Sequence, residues 1–207
     1  MGDVWPMIHA ERAACADMVA GLSSEQMGTP SLCGGWSVGQ VVGHMIAACQ
    51  ETPLHFFTGL AKSGFSFDKL MDTNADRCSQ GPTSDLAARL RAGATTTNHP
   101  PGPVTAMLGE IVIHSEDVRR PLGIEHTVPE AAQVAVAEFY KKSNLVVGAK
   151  KRITGLHLMA SDASWTHGDG PEVQGPLLSL ILAMTGRSSG LGQLSGEGTS
   201  ILASRMK

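Results

Sequence analysis

At 207 residues, with a formal net charge of −3 and 42% hydrophobic but only 4% aromatic residues, the chain can bury a sizeable core as one large domain or two modest ones. Basic residues are scattered, and the densest runs, Arg119-Arg120 and Lys150-Lys151-Arg152, are too short for a nucleic-acid footprint, so DNA and RNA are not expected partners. No apolar run reaches bilayer-spanning length and no signal-like segment opens the chain. With four cysteines and no CxxC pair, this predicts a cytoplasmic protein with free thiols and no membrane contact.

Trp5, Ile8, Cys15, Met18, Val19 and Leu22 recur at helical spacing, with polar Glu11, Arg12 and Asp17 between them, and predict a first helix ending over residues 21–24. A loop holding Pro30 and Gly34-Gly35 follows. Ser37 with Gln40 three residues on has the form of a capping box, and Val38, Val41, Val42, Met45, Ile46 and Cys49 form the apolar stripe of the helix it opens. His44 stands beside that stripe. Residues 53–63, 68–79 and, after the Gly81-Pro82 break, 83–97 read as further helical pieces. Three prolines and a glycine make 98–103 a loop. A helix over about 104–120 comes next, stopped by Pro121 and Gly123, and Pro129 fits the first position of another reaching about residue 142. Past Gly148 the periodicity changes. Residues 153–160 read as a strand, 162–175 as one or two short strands with turns, and 176–185 as a compact apolar helix closed by Gly186. The expected organisation is mainly α: a helical bundle over 1–147, then a small α+β domain over 148–207.

On the helix over 104–120, Met107, Glu110, Ile111, His114 and Val118 share one face. An inward carboxylate needs a partner. In one reading Glu110 and His114 pair with each other near a water-accessible bundle end. In the other they bind a metal, and His44 from a neighbouring helix completes a His, Glu, His trio that leaves one tetrahedral position open, as catalytic sites do. Spacing leaves both readings open.

Three stretches bear on the choice. Residues 32–45, Leu-Cys-Gly-Gly-Trp-Ser-Val-Gly-Gln-Val-Val-Gly-His-Met, resemble the N-terminal signature of the mycothiol-dependent maleylpyruvate isomerase family, part of a broader DinB-like group of four-helix metalloproteins. Residues 109–123 are similar to that family's E-x-x-x-H-x-x-D-x-R-R-x-x-G stretch. Residues 155–162, then Trp165, residues 168–171 and Gly186-Arg187, are similar to its small C-terminal domain. The resemblance implies a DinB-like four-helix bundle followed by a small α+β C-terminal domain, with the metal ligands falling on His44, Glu110 and His114. It implies an enzyme that uses a divalent metal and mycothiol, the low-molecular-weight thiol of actinobacteria, to add a thiol to a small electrophile, by S-transfer or cis–trans isomerisation. Two imidazoles and a carboxylate suit Zn²⁺.

This sequence departs from the family pattern at Gln40, where members often carry Asp, at Met45, where Leu is usual, and at His157, where Arg is frequent. Two other classes stay open: a binding or interaction module without catalysis, and metal-assisted hydrolysis with no thiol. Arg187 reads equally as a capping partner and as a clamp on an anionic group of thiol or electrophile. Asp117, Arg119 and Arg120 read as salt-bridge ties at a helix end. Trp36 and Trp165 read as packing anchors, Cys33 and Cys49 as packed thiols, and His55, His99, His126 and His167 as surface or loop residues. A monomer or a homodimer fits equally well.

Overall fold

The computed structural model describes residues 3–145 and 147–206, which form two compact units, Met1–His126 and Thr127–Lys207. In the first unit, α1 (Trp5–Ala20), α3 (Val38–Gln50), α6 (Thr83–Gly93) and α7 (Thr105–Leu122) close a four-helix bundle. Both α1 and α3 pack on both α6 and α7. Short α2 (Ser24–Met27) and helices α4 (Pro53–Lys62) and α5 (Phe67–Cys78) complete the unit, with α5 lying along α3.

The capping box at Ser37 and Gln40 forms as the sequence predicts, and an unexpected second one, at Ser23 and Gln26, starts α2 inside the stretch read as loop. Ile8, Val19, Val41, Val42, Ile46, Leu90, Leu108 and Val112 are completely buried between the helices. Burial of each such side chain is worth about 1.5–3 kcal/mol. At Gly43 a Cβ would lie 2.4 Å from the Ala75 carbonyl oxygen, so only a glycine lets α5 approach α3 this closely, one residue before His44.

Two details overturn the sequence reading. Glu11 and Arg12, placed on a polar face by periodicity, are 3% and 1% exposed. Burial is tolerated because Arg12 donates to the Thr96 carbonyl at 2.9 Å and Glu11 pairs with His126 at 3.1 Å. Helix α7 also runs through Pro121 to Leu122 and ends on Gly123 in the left-handed region at φ +65°. Pro121 has no N–H for the Asp117 carbonyl one turn back. That carbonyl instead accepts from the backbone N–H of Leu32 at 3.1 Å, which fastens the loop before α3 onto α7.

The second unit holds α8 (Glu130–Tyr140), α9 (Ala149–Ile153), three short strands β1 (His157–Ala160), β2 (Thr166–His167) and β3 (Glu172–Gly175), then α10 (Leu177–Met184), a 3-10 turn (Ser188–Gln193) and α11 (Thr199–Ser204). The sheet order is β2-β1-β3, with β1 antiparallel to β2 and parallel to β3, Leu158 opposite Val173. Helix α10 is buried along its length and packs on α8, α9 and the sheet. Because α8 packs on α10, it groups with the second unit, and the division falls after His126 where the sequence suggested residue 147. The strand expected from residue 153 begins only at His157, since Gly155 at φ +72° turns the chain after α9. The architecture is mainly α, a helical bundle followed by a small α+β domain. All four cysteines are free thiols, and no helix among the described residues is long and apolar enough to cross a membrane.

Candidate metal centre

Helices α3 and α7 bring His44, Glu110 and His114 together, with one ligand atom from each within 4.8 Å of the others. The two imidazoles meet edge to face at 4.7 Å between ring centroids. His44 Nε2 lies 3.7 Å from Glu110 Oε1, too far for a hydrogen bond. All three side chains are nearly covered: His44 and Glu110 are 14% exposed and His114 15%. Trp36 leans against His44, ring centroids 5.2 Å apart, and its indole N–H donates to Asp72 at 2.8 Å. Trp36 is thus the packing anchor the sequence suggested, positioned against a site residue.

Behind His114 stands Asp117, completely buried, whose Oδ2 is 2.9 Å from His114 Nδ1. An ionised carboxylate only accepts, so Nδ1 carries a proton and Nε2 is the ring nitrogen left to take a cation, in exchange for the proton it holds in the metal-free imidazolium. Carboxylates in this position fix the tautomer of metal-ligating histidines. The sequence reading made Asp117, Arg119 and Arg120 alike salt-bridge ties from a helix end to neighbouring loops. In the structure those arginines meet Glu116, Arg120 Nε at 2.9 Å and Arg119 NH1 at 3.9 Å.

Charge in the site is finely opposed. Burial pushes the Glu110 carboxyl above its ordinary range, while the charges of His114 and buried Arg12 pull it back. Burial acts to lower His114, but hydrogen bonds to Asp117 and Cys33 and the charges of Asp117 and Glu110 outweigh it and raise the imidazole to about 9. Glu110 Oε1 is buried with no hydrogen-bond donor among the described residues. A divalent cation among the three ligands would satisfy that oxygen, and two imidazoles with one carboxylate make a donor set suited to zinc. The residues fit the metal that the resemblance implies.

Arg187 lies in the second unit just before the 3-10 turn, and its guanidinium donates to the Thr185 carbonyl at 3.2 Å. Cys33, read as a packed thiol, is only half-buried and sits beside His114 and Asp117. No periodicity could have placed it, because it lies in a glycine-rich loop.

Fold and trio together define a helical-bundle protein with a candidate mononuclear metal centre. Residues 8–101, which include His44 but stop short of Glu110 and His114, match the family described as mycothiol maleylpyruvate isomerase N-terminal domain. No curated protein matches the chain in sequence. Among solved structures, the chain is similar to the crystal structure of the mycothiol-dependent maleylpyruvate isomerase, with 16% identity, a TM-score of 0.63, and coverage of 94% of this chain and 92% of that one. A point mutant of that enzyme matches equally broadly, with a TM-score of 0.62 and 16% identity.

Proposed function

We propose that this protein is a metal-dependent, mycothiol-using enzyme that adds a thiol to a small electrophile, releasing it after cis–trans isomerisation or retaining it as a conjugate. The observation that carries the reading is the convergence of His44, Glu110 and His114, with the Asp117 carboxylate behind His114 and the orphaned Glu110 oxygen facing the gap. A bound divalent cation, Zn²⁺ by ligand chemistry, supplies positive charge that favours the thiolate form of an incoming thiol.

The chain's own residues do the rest. Asp117 holds the proton on His114 Nδ1, which leaves Nε2 as the nitrogen that exchanges its proton for a cation. The aromatic face of Trp36 and the near-complete burial of all three side chains thin the water around the reacting atoms. In an isomerisation the thiolate sulfur bonds to one alkene carbon, the double bond becomes single and rotates, and expulsion of the same thiolate restores it. In S-transfer the other alkene carbon, which received the electron pair of the double bond, takes a proton and the C–S bond stays. Arg187 is our candidate for holding an anionic group of thiol or electrophile, at a cost of about 1.5–3 kcal/mol when a charge-assisted hydrogen bond of that kind is lost.

The test pairs elemental analysis with a thiol-conjugation and isomerisation screen on small electrophiles, with and without mycothiol. The expected result is about one divalent metal per chain and thiol-dependent turnover, both lost in a folded His114→Ala variant. Full metal retention in that variant, or turnover indifferent to thiol, would overturn the reading. In Arg187→Ala, kcat/KM should fall with metal content unchanged.

A further inference from the structure

The His114 imidazole belongs to two trios of potential ligands. Besides the set with His44 and Glu110, ligand atoms of Cys33, His114 and Asp117 also lie within 4.8 Å of one another. Asp117 Oδ2 lies 2.9 Å from Nδ1, so on its carboxylate side this second trio meets the ring at Nδ1.

Backbone bonds hold Cys33 in that place. Leu32 N–H donates to the Asp117 carbonyl that Pro121 leaves without an intrahelical donor, Cys33 N–H donates to Ser31 Oγ at 3.1 Å, and Trp36 N–H donates to the Cys33 carbonyl at 3.0 Å. Thiol and carboxylate are therefore fixed to each other through one loop and one helix turn. Cys33 is also set apart from the other thiols: it is half-buried, whereas Cys15, Cys49 and Cys78 are buried.

The donor set differs from the first in kind. One sulfur, one imidazole nitrogen and one carboxylate oxygen favour a thiophilic divalent cation, while the first trio offers no sulfur. We propose that Cys33, His114 and Asp117 form a second cation position, selective for thiophilic divalent metals, that shares the His114 ring with the first. Filling it displaces the Cys33 thiol proton and the Nδ1 proton to solvent. It also draws Asp117 out of the hydrogen bond that orients His114, so a cation here weakens the first trio and acts as an inhibitor. The inference shares His114 with the proposed function but does not involve His44, and this separates the two in experiment.

The test titrates Cd²⁺ into the metal-stripped full chain and follows the thiolate-to-cadmium charge-transfer absorption. Wild type should give a band saturating at one thiolate-bound Cd²⁺ per chain. Cys33→Ser should abolish the band and His44→Ala should keep it, while Asp117→Asn should weaken its affinity about 10-fold or more. Labelling folded wild type with iodoacetamide gives a second route that needs no substitution. It should reach Cys33 first, since burial pushes Cys15 up to about 11 and Cys49 up to about 12, and it should remove the band. The inference is overturned if wild type shows no band, if the band survives in Cys33→Ser or after selective labelling, or if His44→Ala abolishes it. The last result would make Cys33 a ligand of the first position. Zinc content of the same His44→Ala protein reports separately on the proposed function.

Discussion

Asp117→Asn isolates one component of the site. The carboxylate is completely buried and accepts from His114 Nδ1 at 2.9 Å. Asparagine has nearly the same shape, and its amide oxygen can go on accepting the Nδ1 proton, so the orientation of the ring is kept. What disappears is the negative charge behind the imidazole. Removing such an outer partner of a ligating histidine costs about 10–100-fold in metal affinity, or about 1.4–2.8 kcal/mol. Because Glu110 and the Cys33 hydrogen bond still act on the same ring, the lower part of that range applies, near 10-fold. The assay is competition for Zn²⁺ against a chromophoric chelator, with circular dichroism confirming that the variant is folded. A folded variant whose zinc affinity stays within about twofold of wild type would refute the role given to Asp117, and with it the tautomer assigned to His114.

Two further outcomes are expected. Metal-free protein should lose stability with rising pH through His114: its folded value of about 9 is raised above the ordinary 6.5 of the unfolded chain, so the contribution is complete below about pH 6.5 and lost as pH climbs through about 9. The size is at most on the order of 3 kcal/mol; urea unfolding with chelator present measures it, and a flat profile in wild type, or an unchanged slope in Asp117→Asn, contradicts the assignment. Gly43→Ala should destabilise the bundle, because the added Cβ meets the Ala75 carbonyl oxygen at 2.4 Å and the Ser79 nitrogen at 2.6 Å. Overpacking costs about 1–3 kcal/mol and helix propensity returns no more than about 1; a urea midpoint at or above that of wild type would mean that α5 yields freely.

What could be read from the sequence follows from which signals are local. The capping box fixed where α3 begins, and spacing of three and four put Glu110 and His114 on one face of α7, but it was the resemblance that joined His44 to them as a ligand set. Spacing also placed Asp117 one turn beyond His114, but whether its carboxylate turns back to the ring or out to the helix end depends on what packs behind it. Glu11 and Arg12 were misread for a related reason: a periodic pattern reports polarity, while the partners that make burial tolerable, Thr96 and His126, lie 84 and 115 residues away. Cys33 was the least legible, since nothing in a Gly-Gly loop says where it docks. Pro121 shows how that information is nonetheless encoded. In the sequence it is a helix stop. In the fold the helix runs on past it, and its missing N–H leaves the Asp117 carbonyl for Leu32 to bind. One absent donor thus ties the Cys33 loop to the helix carrying Glu110 and His114, and sets a thiol beside an imidazole that local propensity alone would never bring together.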